Sequence, residues 1–280
     1  MGCIVIPACN EGATIGRLLN ELVEHNVPPM FEILVVCNGC SDNTFAVASS
    51  FGGNIRAIDL AEGGKTNALN VADKKVTSFP RIYLDADIRI TKESLQNLAN
   101  ALIDTSSMAA SATPIFHYSQ STWLVRQYFS ARKKLPFVTK GQSIAGCGVY
   151  ALSELGHNRL GSFPDVLNDD GYVNRLFEDH EKQKPADCFA RISAPKNWPT
   201  LCRIRARSYM GNRELNGLQL PGKSTTKNQV NSLKTMLFSS LWLAAVVYSG
   251  TQIAVRVYAL IISPIIGRAG HWERDESTRT

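Results

Sequence analysis

The sequence predicts an α/β fold with a doubly wound, mostly parallel sheet and a hydrophobic helical C-terminal extension. Through the first hundred residues, short apolar runs alternate with helical patterns, which is typical of a parallel sheet with helices on both faces. The chain of 280 residues is 44% hydrophobic and 19% charged, so it can bury a sizeable core. Beyond residue 237, long stretches contain no charge, which predicts the apolar extension.

Four strand patterns and the helical patterns between them carry this prediction. The strands are apolar runs bounded by turn or polar residues: Cys3–Ile6, Phe31–Val36, Ile55–Leu60 and Arg81–Leu84. Helical spacing predicts helices from Ile15 to Val23, over Thr44–Ser50, from about Lys65 to Lys75, over Thr91–Ile103, and further on over Trp123–Leu135 and Tyr172–Phe177.

Polar segments follow the carboxyl end of each predicted strand. They span residues 7–11, 37–39, 61–65 and 85–87, and they contain Asn, Gly, Asp or Glu. In open α/β sheets, ligands bind beyond the carboxyl ends of the strands. Because these four segments converge on one edge of the sheet, we expect a binding site there.

The acidic pair Asp85 and Asp87 is the most informative of these segments. It directly follows the apolar run Ile82–Leu84. Two carboxylates one residue apart repel each other unless a positive charge lies between them. Hard divalent cations such as Mg²⁺ bind carboxylate oxygens together with substrate phosphates. The alternative is that both aspartates are solvated turn residues. The other polar segments at the same sheet edge favour the interpretation as a cation site.

Charge and cysteine usage narrow the class of partner. A net charge of +6 suits an anionic partner such as a nucleotide, a membrane surface or a polyphosphate carrier, whereas no dense basic stripe indicates nucleic acid.

The seven cysteines are scattered and odd in number, which favours reduced thiols in the cytoplasm over a disulfide framework. Cys37-x-x-Cys40 leaves a redox or zinc half-site as an alternative. No N-terminal targeting segment is expected.

The apolar C-terminal segment has three interpretations. Leu237–Val255 is free of charge over 19 residues, about the shortest length that spans a bilayer as a helix, and Val257–Ile266 is apolar again. The segment is therefore a membrane span, an interfacial helix pair or a buried core hairpin. Trp242, Tyr248, Tyr258 and Trp272 suit an interface.

Four motifs together resemble family 2 glycosyltransferases, which are inverting enzymes with the GT-A (nucleotide-diphospho-sugar transferase) fold. The motifs are Ile4–Glu11, Ile33–Thr44, Gly64-Lys65-x-x-Ala68-Leu69-Asn70 and Leu84–Asp87, in this order and spacing. The resemblance covers about residues 3–215. It implies a GT-A domain over 1–215, with a nucleotide-binding half 1–104 and an acceptor half 105–215, then a linker 216–236 and an apolar, membrane-associated tail 237–280.

The resemblance implies a nucleotide-sugar donor, usually a UDP- or GDP-sugar. The residues it assigns to the donor are Pro7, Ala8, Asn10, Glu11, Asn38, Lys65, Asp85 and Arg207. Glu11 accepts from ribose hydroxyls or stabilises a helix dipole. Asn38 departs from the family, which commonly has Asp there, so the base stays open. Lys65 either reaches a phosphate or is an exposed lysine at the start of a helix. The diphosphate is expected to be clamped by an arginine, and the choice among Arg203, Arg205 and Arg207 is open.

The resemblance also implies the catalytic residues. Asp87 would be the main ligand of Mg²⁺ or Mn²⁺, with Asp85 on the same ion, on its water or on the ribose. Asp170 corresponds to the base that deprotonates the acceptor hydroxyl. Asp169 is a helix-cap candidate and the fallback base.

The sequence therefore predicts a hexosyltransferase that moves one sugar to a lipid-linked or polysaccharide-precursor acceptor at the cytoplasmic face of the cell membrane. The absence of a Gln-x-x-Arg-Trp box argues against a polymerising enzyme. The alternatives are a nucleotidyltransferase and a non-catalytic sugar-nucleotide-binding subunit. The first usually has a Gly-rich phosphate loop, unlike Pro7–Glu11. Gly146-Cys147-Gly148 formally matches a dinucleotide-binding fingerprint, but no βαβ unit surrounds it. We expect this glycine-rich segment to line the acceptor site instead.

Overall fold

The computed structural model describes residues 2–24, 31–103, 105–139, 143–144, 146–221 and 226–266. Parts of the predicted linker (222–225) and tail (267–280) lie outside these residues. The chain forms two compact units: residues 1–115 with 142–192, and residues 116–141 with 193–280. The functional division at residues 104, 215 and 236 stays a prediction.

Seven of the ten strands described form one sheet, in the order β3-β2-β1-β4-β8-β6-β9. The strands are β1 (Gly2–Ala8), β2 (Phe31–Asn38), β3 (Ile55–Leu60), β4 (Arg81–Leu84), β5 (Arg89–Ile90), β6 (Ala109–Ser111), β7 (Thr113–His117), β8 (Val149–Leu152), β9 (Lys182–Gln183) and β10 (Phe189–Ser193). Strands β3, β2, β1 and β4 are parallel neighbours, and β8 is antiparallel to both β4 and β6. The predicted mostly parallel sheet is therefore confirmed.

The helices alternate with these strands in the first unit and make up most of the second. They are α1 (Gly12–Glu24), α2 (Thr44–Ser49), α3 (Lys65–Asp73), α4 (Lys92–Asn100), α5 (Trp123–Arg132), α6 (Pro136–Thr139), α7 (Glu154–Leu160), α8 (Asp169–Leu176), α9 (Trp198–Leu215), α10 (Thr226–Leu237) and α11 (Trp242–Ile266). Helices α4 and α5 end three residues before the predicted ends, where the apolar periodicity still continues.

Both faces of the sheet are buried, as the alternation along β1 shows. Ile4 and Ile6 pack with α1 and α4 on one face, while Cys3 and Val5 pack with α3 on the other. Side chains in a strand alternate between faces, so a strand that is apolar throughout requires a cover on each side. Burying each large aliphatic side chain contributes about 1.5–3 kcal/mol.

Of the other differences at element ends, two have a clear physical reason. Pro7 does not close the first strand, because β1 continues to Ala8. Strand β4 pairs with β1 only as far as Val5, so the missing N–H of Pro7 falls where one neighbouring strand has ended. Helix α8 begins at Asp169 rather than near Tyr172, and its N-cap is Asn168, not Asp169: the Asn168 side chain accepts from the Gly171 N–H.

The second unit is a helical assembly. Helices α5, α9 and α11 share a core that includes Val125, Tyr128, Leu201 and Tyr248. The first apolar stretch is interrupted after Leu237, where α10 ends, and helix α11 then runs without a break from Trp242 to Ile266. Over Trp242–Ile261 it is long and apolar enough to cross a membrane, and one third of its most apolar window is buried inside the protein.

Candidate active site

Asn38 joins three segments at the carboxyl end of the sheet. Its Nδ2 donates to the carbonyl of Ala8 at 2.9 Å, and its Oδ1 accepts from the backbone N–H of Gly64 at 3.0 Å. The side chain is 1% exposed, so these polar atoms need internal partners. An amide both donates and accepts, which a carboxylate in its place would not do. Asn38 thus positions the end of β1 against the start of α3.

The loop after β1 is held by side chains of the loop after β2. Asn10 has a left-handed backbone (φ 49°), and its Oδ1 accepts from the Ser41 N–H at 2.7 Å. The Glu11 N–H donates to Thr44 Oγ1 at 2.7 Å, and Glu11 Oε2 accepts from Thr14 Oγ1 at 2.5 Å. Glu11 is 8% exposed, so the loop fixes its carboxylate in place at the sheet edge.

Lys65 lies between two carboxylates. Its Nζ is 2.7 Å from Asp85 Oδ1 and 2.9 Å from Asp169 Oδ1. Burial alone would lower the pKa of Lys65, but the carboxylates of Asp169, Asp85 and Asp170 outweigh it and raise that pKa. The ammonium group therefore stays charged. The alternative of an exposed lysine at a helix start is wrong, because the side chain is only 13% exposed although Lys65 begins α3.

Tyr150 holds the other oxygen of Asp169. Its hydroxyl donates to Asp169 Oδ2 at 3.1 Å, and its ring stacks on Tyr83 of the neighbouring strand β4 at 5.0 Å. Burial and the Asp169 carboxylate raise the pKa of Tyr150, so the phenol stays protonated and donates. Both oxygens of Asp169 are thus engaged. The sequence gives no functional signal for Tyr150, which belongs to an ordinary apolar strand run.

Asp170 has a different environment from Asp169. Its Oδ2 accepts from the backbone N–H of Gly146 at 2.5 Å. Burial and the neighbouring Asp169 carboxylate raise the pKa of Asp170 to about 6, against the opposing effect of Lys65. A carboxylate with a pKa close to the working pH is suited to general base catalysis. Of the adjacent pair, Asp170 therefore has the properties of a base.

Gly148 connects the glycine-rich stretch to Asp85. Its carbonyl accepts from the Asp85 N–H at 2.9 Å, and its φ is +68°. A Cβ at this position would lie 2.5 Å from Ile88 and 3.4 Å from Asp85 Oδ2. Glycine is therefore required for the close approach. The stretch leads into β8, which is antiparallel to β4, and not into the helix that a dinucleotide fingerprint requires.

The described residues contain no group of three or more His, Cys, Asp or Glu side chains arranged to hold a metal ion. Asp85 is half-buried beside Lys65, and Asp87 is exposed two residues later. Mg²⁺ usually binds through one or two carboxylates and completes its shell with waters and substrate phosphates. The hard oxygens of Asp85 and Asp87 fit an ion held in that way, rather than an ion caged by protein alone.

The remaining predicted residues lie in two places. Pro7 and Ala8 are buried at the end of β1, in the unit that contains Lys65, Asp85, Asp169 and Asp170. Arg207 is half-buried on α9 in the second unit.

The cysteines are free thiols. Cys37 and Cys40 form no disulfide, and burial raises the pKa of Cys37 to about 12. A raised pKa lowers the thiolate fraction, which is the opposite of what a redox or zinc-binding cysteine needs.

Comparison with known proteins identifies the family. The model of glycosyl transferase family 2 matches residues 3–154, more than half of the chain. A curated relative, the 4,4'-diaponeurosporenoate glycosyltransferase of Staphylococcus aureus (strain bovine RF122 / ET3-1), is 31% identical over 102 residues, which are 35% of this chain and 27% of the relative. The same enzyme from strain MRSA252 matches over the same shares. The chain thus aligns with only about a quarter of the length of these relatives.

Solved structures share the fold. The mannosyltransferase PcManGT from Pyrobaculum calidifontis, in complex with GDP-Man and Mn²⁺, superposes with a TM-score of 0.62 at 18% identity, covering 93% of this chain and 77% of the other. TarS residues 1–349 from S. aureus, in complex with UDP-GlcNAc, gives a TM-score of 0.50 at 16% identity, covering 69% and 58%. With the family model matched over the four motifs and the GT-A architecture in place, the chain belongs to glycosyl transferase family 2.

Proposed function

We propose that this protein is an inverting hexosyltransferase that moves one sugar from a UDP- or GDP-sugar to a lipid-linked or polysaccharide-precursor acceptor, with Mg²⁺ or Mn²⁺. The observation that carries the proposal is the cluster of Lys65 with Asp85 and Asp169, next to Asp170 with its raised pKa. Family membership supports a glycosyl transfer. Two structural neighbours in complex with GDP-Man and with UDP-GlcNAc support a nucleotide-sugar donor.

The donor is expected at the carboxyl end of the sheet. Asp85 and Asp87 would hold the divalent ion, which when bound neutralises charge on the departing nucleoside diphosphate. Lys65 supplies a second positive charge at this edge and is already desolvated, which strengthens its attraction for phosphate oxygens. Asn38 and Asn10 keep the strand-end loops in position.

In the proposed reaction, Asp170 takes the proton of the acceptor hydroxyl. The acceptor oxygen attacks the anomeric carbon as the bond from that carbon to the diphosphate oxygen breaks, and the bonding electron pair leaves with the diphosphate. One displacement on the opposite face inverts the anomeric carbon. Asp169 is a positioning residue, because Tyr150 and Lys65 engage both of its oxygens while its charge raises the pKa of Asp170.

The proposal is tested by measuring release of UDP or GDP from a panel of nucleotide-sugars in the presence of Mn²⁺. We expect release from at least one donor by the wild-type protein and none by Asp87→Ala. Equal release by the variant would show that Asp87 is not a ligand of the metal ion. No release from any donor, with thermal shifts showing that the donors bind, would support the non-catalytic subunit instead.

We also propose that the protein associates peripherally with the cytoplasmic face of the membrane through α11. One face of this helix packs against α5 and α9 through Ala245, Tyr248, Val255 and Ala259. The other face exposes Trp242, Val246, Ile253, Val257, Leu260 and Ile261. An exposed apolar stripe of this length on a surface helix indicates an interaction site.

An interfacial position is favoured over a spanning one. Helix α9, on which α11 packs, carries Arg203, Arg205, Arg207 and Arg213. Each arginine at the centre of a bilayer costs at least about 2.5–3.5 kcal/mol, so this helix pair does not suit the hydrocarbon core. Segments 116–141 and 193–266 together contain 14 Lys and Arg and a single acidic residue, Glu214, which complements anionic lipid headgroups.

Replacing Ile253 and Val257 together with glutamate is expected to weaken binding to phosphatidylglycerol vesicles at least tenfold, because two exposed apolar anchors become charged. Sedimentation with vesicles measures this effect. Leu155→Glu, an equally exposed leucine on α7 of the first unit, is the control and should sediment like the wild type. Unchanged sedimentation of the double variant would refute the α11 surface.

A further inference from the structure

The side chain of Asn70 on α3 pairs with the backbone of Phe163, in the loop between α7 and α8. Its Nδ2 donates to the Phe163 carbonyl at 2.9 Å, and its Oδ1 accepts from the Phe163 N–H at 2.8 Å. Two residues of neighbouring antiparallel strands exchange hydrogen bonds in the same way. Both polar functions of the amide thus bind one residue that lies 93 positions further along the chain.

Phe163 is the anchor of its loop. Among residues 161–168, all of which the structure describes, only Phe163 is buried, at 3% exposed. Its ring meets the ring of Tyr83 edge-on, with 5.3 Å between the ring centres. Tyr83 also stacks on Tyr150, whose hydroxyl donates to Asp169. The anchor of the loop and the tyrosine that binds Asp169 therefore contact the same aromatic side chain.

The segment from Phe163 to Asp169 is attached to α3 at both of its ends. At its start, Asn70 binds the Phe163 backbone. At its end, Lys65 Nζ lies 2.9 Å from Asp169 Oδ1. Lys65 and Asn70 are five residues apart on α3, which is about 7.5 Å along the helix axis. Helix α3 therefore fixes both ends of the segment that leads to Asp170.

The two attachments differ in chemistry. The contact of Lys65 with Asp169 is an ion pair, and in the proposed reaction the same ammonium group attracts the diphosphate of the donor. A bound diphosphate therefore competes with Asp169 for Lys65. The two hydrogen bonds of Asn70 join neutral groups more than one helical turn away from Lys65, so donor binding leaves them in place.

We propose that Asn70 is a positioning residue for the general base: it holds the loop before α8, so that Asp169 and Asp170 keep their places when the donor diphosphate engages Lys65. This inference rests on the proposed function, in which Asp170 deprotonates the acceptor hydroxyl. Loss of the two hydrogen bonds of Asn70 is expected to displace the base and to leave the donor in place. A displacement of about 1 Å at a reacting group can lower a rate by about 10²-fold.

The test compares release of the nucleoside diphosphate by the full-length wild type and by Asn70→Ala, with Mn²⁺ and the nucleotide-sugar that the donor panel identifies. We expect kcat to fall by about 10- to 100-fold. The KM for the donor should change by less than about twofold, since Lys65 and Asp85 are unaltered. Hydrogen–deuterium exchange of residues 165–170 should become faster in the variant, because the anchor of the loop is lost.

Asn97→Ala is the matched control. Asn97 is half-buried on α4, which packs on the opposite face of the sheet from α3, and its Nδ2 donates to the Asp187 carbonyl at 2.9 Å. This bond also joins an asparagine side chain to the backbone of a distant loop, 90 positions away. Asn97→Ala should therefore lower the melting temperature and yet keep the kcat of the wild type.

Asn70→Asp is the second variant, and it carries the test if Asn70→Ala does not fold. Aspartate has nearly the shape of asparagine, and its carboxylate still accepts from the Phe163 N–H, but it cannot donate to the Phe163 carbonyl. We expect kcat at pH 8 to fall by at least about fivefold, because one of the two hydrogen bonds is lost.

Several results would overturn the proposal. They are a wild-type kcat in Asn70→Ala or in Asn70→Asp, an equal fall of kcat in Asn97→Ala, a loss that appears only in the KM for the donor, or unchanged exchange of residues 165–170. An active wild type with an equally active Asn70→Ala refutes this inference alone and leaves the proposed function standing. A wild type that is inactive with every donor refutes the proposed function, and this inference with it.

Discussion

Replacing Asp170 with asparagine is expected to lower the rate of sugar transfer by about 10²–10⁴-fold, because the acceptor hydroxyl loses its base. In the variant, the amide oxygen of the new asparagine can still accept the hydrogen bond that Gly146 N–H donates to Asp170 Oδ2, so the local fold should persist. Donor affinity should be near normal, since Lys65 and Asp85 are unchanged. Transfer assays with radiolabelled donor and calorimetric titration of the nucleoside diphosphate measure the two effects.

The pH profile gives a second readout of the same residue. The raised pKa of about 6 means that Asp170 is protonated and inactive as a base below that value. Transfer should therefore rise with pH through about 6 and then level off, as the carboxylate becomes the dominant form. In Asp170→Asn the residual rate should lose this step.

A matched control is available in the loop that precedes α8. Asp165 is exposed, and Asp165→Asn removes the same charge without touching the cluster. It should transfer sugar like the wild type and keep the step near pH 6. Near-normal turnover by Asp170→Asn would contradict the assignment and leave Asp169 as the base.

Replacing Lys65 with methionine is expected to destabilise the protein by about 3–5 kcal/mol, because partly buried carboxylates lose their counter-charge. Lys65 bridges Asp85 and Asp169, and Asp170 adds a third nearby negative charge. The melting temperature should fall by on the order of 10 °C for a protein of this size. Differential scanning calorimetry of wild type and variant at pH 8 measures the loss.

The sign of the pH dependence distinguishes this effect from simple loss of packing. Protonation of the clustered carboxylates removes their repulsion, so the deficit of the variant should shrink as the pH falls from 8 to 5. Mn²⁺ should stabilise the variant more than the wild type, because the ion replaces the lost positive charge among Asp85 and its neighbours.

Lys74→Met is the control for the lysine change. Lys74 is exposed and follows α3 directly, so its loss should alter the melting temperature by no more than about 1–2 °C. A deficit of Lys65→Met that is the same at pH 5 and pH 8 would contradict the charge-cluster interpretation.

Periodicity and strand-end chemistry were sufficient to predict much of the fold. Strands β3 and β4 have the predicted bounds, since their apolar runs stop at turn residues. The parallel order followed from the helices between the strands, because a parallel pair needs a crossover. Helix ends were less predictable. Helix α8 begins at Asp169, directly after its N-cap Asn168, and the sequence does not show which of Asn168 and the two aspartates will be the cap.

The sequence by itself determined the sheet, its carboxyl edge and the acidic segments that belong to that edge, because local patterns of burial and turn chemistry specify all three. Tertiary structure alone decided that Lys65 lies between Asp85 and Asp169, and that the Tyr150 hydroxyl donates to Asp169. These contacts join residues up to about a hundred positions apart. They depend on how separate elements pack, and the spacing of residues along the chain does not predict that packing.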